Sequence, residues 1–218
     1  EAPVEPEPES NIGPDGREFA DEQVYRSLYS SEVTTMNYLV SGTTYELVVG
    51  ANTIDSLVEN DTYGNILPCG AESWEVSEDG LTWTDPLGDH LRAGQYWYDA
   101  DGNQKDPVTA NDYVAAARYV CDSAMDCANS YLMKGWIVNA EELLNYTAAQ
   151  LASPVEQGTE VGEEQDLVVD ANGIIYEGSD WNKETEKYDT WTEVPAVTPE
   201  DLGVEAVDDL TLVYHMVK

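Results

Sequence analysis

AESWEVSEDGLTWT, residues 71–84, decides the architecture. Large apolar residues alternate with polar ones on both sides of Ser77-Glu78-Asp79-Gly80, the mark of a β-hairpin. Trp74 and Val76 share one side of the first arm, and Leu81 and Trp83 one side of the second. Asp85-Pro86-Leu87-Gly88-Asp89 follows. Proline supplies no ladder donor, so the strand is expected to break or bulge there, which disturbs the register of His90-Leu91-Arg92. Further on, Thr109 offers an N-cap, with Asp112 in place of the capping-box Glu. Val114, Ala117, Arg118 and Cys121 continue at helical spacing, a partial apolar stripe. Hairpin, acidic turn and capped helix form a scaffold with no catalytic group arranged in it.

Upstream, residues 1–20 open on alternating Pro and Glu and read as a flexible acidic linker. Residues 22–30 read as an interior strand, apolar on both sides. From Thr44, the spacing of Leu47, Val48, Ala51, Ile54 and Val58 predicts a helix ending near Asn60, weakened by about 1 kcal/mol at Gly50. A turn over Asn60–Asn65 and an extended run from Ile66 lead into the hairpin. Downstream, Asn139 is expected to cap a second helix with Glu142 as capping-box partner and Leu143, Leu144, Ala148 and Leu151 as its stripe. Residues 153–166 read as an acidic loop, and two short apolar runs flank Asp170-Ala171-Asn172-Gly173. Trp181 to Trp191 is polar, charged and poorly periodic. Thr198 and Pro199 open a helical turn, and Val204 to Val217 reads as a hairpin about Asp208-Asp209. The strand pattern persists to the last residues, which reads as a chain that continues.

The 218 residues suit one domain or two small ones. Nine basic against 44 acidic residues give a formal charge of −35. Such a surface repels nucleic acid and anionic headgroups, and it favours a soluble monomer. Phe19 is the single phenylalanine, so Tyr and Trp must do its packing, and Trp74, Trp83, Trp97 and Trp136 are expected in the core. Three cysteines argue against a disulfide framework. On one helix, Cys121 and Cys127 would point about 240° apart and could not pair. They read as buried small hydrophobes.

Asp99, Asp101 and Asn103 imitate the first ligands of a calcium loop, but Gln104 and Ala110 stand where Gly and Glu are required. A turn is the better account, and no metal or cofactor is expected. Two histidines, His90 and His215, no G-x-S-x-G and no phosphate-cradling loop leave no enzyme signature. With 44 acids, carboxylate pairs are unavoidable and carry no information.

Four stretches in order carry a family resemblance: SSEVTTMNYLVSGT (30–43), NTIDSLVENDTYGNILPCGAESWEV (52–76), VTANDYVAAARYV (108–120) and LGVEAVDDLTLVYHM (202–216). The chain resembles the family 5 extracellular solute-binding proteins, the oligopeptide-, dipeptide- and nickel-binding components of ABC importers. Asn37-Tyr38 departs from the Asp-Pro usual in that family.

The resemblance implies an α+β, periplasmic-binding-protein-like fold of type II with three domains, of which this is an N-terminal fragment. It implies a linker over 1–20, a first strand of lobe I over 21–40, an accessory α+β domain over 41–197 and a return hairpin of lobe I over 198–218. It places ligand contacts at Glu32, Val33, Thr34 and Tyr131. It also implies peptide or another small solute as ligand of the full-length protein, an ABC permease as partner, no enzymatic activity, and an extracellular, lipid-anchored or periplasmic location. The competing reading is a secreted carbohydrate-binding or carbohydrate-active domain using exposed Trp and Tyr. A third is a calcium-stabilised acidic domain.

Overall fold

The computed structural model describes Arg26, Leu28 and residues 31–87, 95–151 and 166–218. The expected linker, most of the strand over 22–30, His90-Leu91-Arg92 and most of the 153–166 loop lie outside them. The chain forms two units, Glu1–Glu32 and Val33–Lys218. In the first, Arg26, Leu28, Ser31 and Glu32 are exposed and lie in neither helix nor strand. The interior strand expected through Leu28 is therefore not formed at the residues described. No described strand offers it a ladder, and unpaired backbone groups favour water.

The second unit is organised by a four-stranded antiparallel sheet made of two hairpins. One is β3 (Glu75–Val76) with β4 (Thr82–Pro86), and the other is β10 (Val204–Asp208) with β11 (Thr211–His215), in the order β10-β11-β4-β3. The first hairpin forms where the alternation puts it. Val76 faces Trp83, Ser77 closes the turn on the Thr82 carbonyl at 2.9 Å, and Gly80 takes φ +76°.

On its β11 side the strand shows no break as far as Pro86; on the other side the register slips by one residue between the Glu75–Thr84 pair and the Ala71–Leu87 bridge, and residues 88–89 lie outside the described ones. Thr82–Pro86 pairs with Thr211–His215 in unbroken register, Pro86 facing Thr211. The Leu87 N–H donates to the Leu210 carbonyl at 2.9 Å, so alternation turns the missing Pro86 donor to the other side. There the Glu72 N–H donates to the Pro86 carbonyl at 2.8 Å and Ala71 bridges Leu87, so Pro86 serves that side as an acceptor.

Helix α2 (Ala110–Val120; the labels α1 and α3 belong to helices given below) packs on β10 and β11. Its start is the expected box: the Asp112 carboxylate accepts from the Thr109 N–H at 2.7 Å and the Thr109 hydroxyl at 3.2 Å. The core beneath is aliphatic, with Leu87, Val114, Leu143, Val204 and Leu212 among its buried members. Ala110, Ala117 and Ala140 also lie in it, and such small side chains let helix and sheet approach too closely for an indole. The expectation of tryptophans in the core is thus overturned: Trp74, Trp83, Trp97 and Trp136 are 37%, 38%, 52% and 64% exposed.

Two helices differ from their expected form. Helix α1 spans only Thr44–Ala51. The Asn52 amide and Thr53 hydroxyl take the Val48 and Val49 carbonyls at 2.7 and 2.9 Å and end it. Leu47, Val48 and Ile54 are exposed, so the predicted stripe is not covered by the described residues, and Val58 enters β1 (Val58–Asn60), paired with β2 (Ile66–Pro68). Helix α3 spans Ala140–Leu151. Asn139 does not cap it in extended conformation; it takes φ +61° and donates its amide to the Asp201 carbonyl at 2.7 Å. Leu143 and Ala149 are buried, whereas Ala148 and Leu151 are exposed.

Trp181 to Trp191, without clear periodicity, is a long hairpin. It joins β8 (Ile175–Asn182) to β9 (Lys187–Glu193) beside β7 (Leu167–Val169). Asp180 takes φ +61°, which disturbs the period-2 pattern a strand would show. Tyr188 packs edge-on against Trp181 and Trp191, ring centroids 4.9 and 5.3 Å apart. It also covers Gly178, where a Cβ would lie 2.6 Å from the Tyr188 ring.

Three tight loops share one construction. Asp61, Asp99 and Asp170 each accept from the backbone N–H two and four residues on, at 2.8–3.0 Å. Gly64, Gly102 and Gly173, three residues after each Asp, take φ near +80°. The calcium-like Asp99 loop is one of these. It joins β5 (Tyr96–Tyr98) to β6 (Gln104–Pro107), and Lys105 pairs with its carboxylate at 2.8 Å. That ammonium and the Asn103 amide hold the Asp99 carboxyl down to about 2.

All three cysteines are free. The single helix assumed between Cys121 and Cys127 is not there: α2 ends at Val120, a 3₁₀ turn follows over Ser123–Met125, and Asp126 takes φ +49°. Both thiols are nevertheless buried, as expected of small hydrophobes. Burial, with the neighbouring Cys127, pushes the Cys121 thiol up to about 11.

Candidate functional site

The segment 33–43 has little regular structure of its own, and one side chain holds it. The Glu46 carboxylate accepts from the Thr34 N–H at 2.6 Å, the Thr34 hydroxyl at 2.6 Å, the Thr35 N–H at 3.1 Å and the Thr43 hydroxyl at 2.5 Å. The Ser41 hydroxyl donates to it as well. Glu46 is buried, yet these donors outweigh desolvation. The hydroxyls of Ser41, Thr34 and Thr43 and the Thr34 N–H hold its carboxyl well below the usual carboxylate range. The sequence signal was available: Thr43-x-x-Glu46 is a capping-box pattern at the start of α1. Here the glutamate reaches past the box to gather the preceding loop.

A second tether runs from the turn after α2. Asn129 donates its amide to the Ser41 carbonyl at 2.8 Å and the Tyr38 carbonyl at 3.3 Å. The Ala128 N–H donates to the Val40 carbonyl at 3.0 Å, and the Asn37 amide to the Tyr119 hydroxyl at 3.1 Å. Tyr131 lies in the 3₁₀ turn Ser130–Leu132 that follows at once, 64% exposed.

Of the candidate contacts, Val33 is half-buried and Thr34 is committed to Glu46 through its N–H and hydroxyl. Asn129 ties the loop that Val33 and Thr34 open to the turn that carries Tyr131. Glu32 is exposed and belongs to the other unit. Sequence reasoning missed Glu46 and Asn129, the two residues that position this loop. No group of three or more His, Cys, Asp or Glu among the described residues could hold a metal ion. No helix among them is long and apolar enough to cross a membrane.

Residues 65–218 match the bacterial extracellular solute-binding proteins, family 5 Middle. The chain belongs to that family. Family members bind solutes without chemical conversion. The chain is 37% identical over 124 residues to the oligopeptide-binding protein SarA of Streptococcus gordonii, covering 57% of this chain and 18% of that protein. It is 34% identical over 117 residues to the periplasmic oligopeptide-binding protein OppA of Haemophilus influenzae, covering 53% and 19%.

Among solved structures, the substrate-binding domain of an oligopeptide ABC transporter from Bacillus anthracis superposes with a TM-score of 0.58 at 23% identity. It covers 90% of this chain and 27% of that one. Listeria monocytogenes OppA bound to peptide gives 0.54 at 22%, covering 87% and 26%. These likenesses show the fold: a mixed α/β chain that matches part of a periplasmic-binding-protein structure. The chain spans about a fifth of the length of the curated relatives it matches.

Proposed function

We propose that this chain is the opening part of a carrier that captures peptides and presents them to an ABC transporter. The observation that carries the reading is the match of residues 65–218 to a solute-binding family, with relatives named for oligopeptide binding. The residues proposed to meet the ligand are Glu32, Val33, Thr34 and Tyr131. A loop locked from behind by Glu46 suits this role, because a preorganised backbone lowers the ordering cost of binding. The full-length protein holds its solute non-covalently between lobes, at the cell surface or in the periplasm.

The domain division belongs to the proposal too: linker 1–20, first strand 21–40, accessory domain 41–197 and return hairpin 198–218. The sheet crosses the last boundary, since β11 pairs with β4.

Calorimetry with a mixed peptide pool tests the reading. The full-length protein should bind in the micromolar range or tighter and lose affinity on Tyr131→Ala. This chain alone, offering half a cleft, should bind weakly or not at all. Full-length protein that ignores peptides and binds oligosaccharides would replace the reading with the carbohydrate one. The exposure of Trp74, Trp83, Trp97 and Trp136 favours that second reading.

A further inference from the structure

A groove of about 410 Å³ opens beside the 33–43 loop. Its walls bring together Tyr38, Ile54, Trp97 and Tyr113 with two carboxylates, Asp55 and Asp112, and no Lys, Arg or His among the described residues lines it. We propose that this groove is a binding site for a guanidinium group, of the kind an arginine side chain carries.

Three observations carry this. Asp112 is spent: it accepts from Thr109 at the start of α2 and from the Trp97 indole N–H at 3.0 Å. The second of these bonds fixes the orientation of the indole, and Trp97 as a residue remains 52% exposed. Asp55, in contrast, makes no hydrogen bond or ion pair among the described residues. Among the described residues the groove therefore offers an oriented indole, two phenol rings and one carboxylate with no hydrogen-bond partner. A planar cation stacks on such rings and takes two parallel N–H···O bonds to such a carboxylate. The volume lies within the usual range for small-molecule sites and holds an arginine side chain. A formal charge of −35 raises the local concentration of any cation that approaches. Asp55, Trp97 and Asp112 are not among the residues proposed to meet the carried peptide, so the inference stands apart from that reading.

The test is a titration of this chain with Nα-acetyl-arginine amide, followed by the indole N–H resonance of Trp97 and assigned by its loss in Trp97→Phe. The expected result is a saturable shift of that resonance, with no saturation from the neutral isostere Nα-acetyl-citrulline amide. Asp55→Asn should weaken the arginine amide by roughly threefold or more. Asp55 is exposed, so this variant folds; an unchanged thermal midpoint checks it. Nα-acetyl-lysine amide should bind more weakly than the arginine compound. Equal response to citrulline, equal affinity in Asp55→Asn, or equal shifts at Trp74, Trp83 and Trp136 would each overturn the proposal. The last would reveal diffuse attraction to an acidic surface in place of a site.

Discussion

The backbone N–H of Thr34 donates to the Glu46 carboxylate at 2.6 Å, across twelve positions of sequence. One buried side chain thereby replaces the regular hydrogen bonding that the 33–43 loop lacks. A neutral amide in its place could accept with one oxygen only.

Glu46→Gln is therefore expected to lower the thermal midpoint at pH 7 and speed amide exchange over 34–43. Folding lowers the pKa of this carboxyl, so the unfolded chain takes up the proton first. Its contribution is complete above the ordinary value of 4.5 and drains away as pH falls below it. Thermal midpoints measured from pH 7 to pH 3 should fall more steeply for the parent than for Glu46→Gln. Parallel curves would show that Glu46 does not carry the acid sensitivity.

Asn129→Ala removes the amide that serves the Ser41 and Tyr38 carbonyls, at a cost of about 1 kcal/mol. Hydrogen exchange should rise in 37–43 and stay unchanged in β4 and β11. In the full-length protein, the same change should weaken peptide binding through looser positioning, with Tyr131 intact.

Gly178→Ala would drive a methyl group into the Tyr188 ring, 2.6 Å from its nearest atom. The ring must leave the space between Trp181 and Trp191, costing about 1–3 kcal/mol. Near-ultraviolet circular dichroism reads the loss of the aromatic stack, while far-ultraviolet ellipticity should hold.

Leu212 is fully buried at the centre of the main sheet and core. Leu212→Ala should cost about 2–5 kcal/mol in urea unfolding. Leu151→Ala, at a position 62% exposed, should cost far less, although the helical pattern placed it in an apolar stripe.

A maleimide offered to the native protein at pH 7 should modify Cys69 first, the one half-exposed thiol. Cys121, buried and pushed up to about 11, should react only as the chain unfolds. Intact mass against time resolves the order.

Legibility followed locality. The Ser77–Thr82 turn, the Thr109–Asp112 box and the helical turn opened by Thr198 and Pro199 were readable because each is decided by a few adjacent residues. The tryptophans were misread because burial depends on what lies opposite, and alanines close the space that indoles would need. The α1 stripe failed in the same way: its spacing was helical, but among the described residues no surface covers Leu47 and Val48. Pro86 spares the β11 ladder because its missing donor faces the other neighbour, where the register slips instead. In the candidate site, the family pattern pointed to Glu32, Val33, Thr34 and Tyr131, whereas Glu46 and Asn129 act across 12 and 88 positions. No short window shows such partners.

The pairing of β4 with β11 sets a timetable for the ribosome. Strand β4 is complete at Pro86, but its partner begins at Thr211, roughly 125 residues later. At common elongation rates, that leaves β4 one bare edge for about 6–25 s. During that interval Trp83 and its neighbours are open to holding factors and to misassociation alike. A delayed partner strand keeps the main sheet from closing until the last residues have been made.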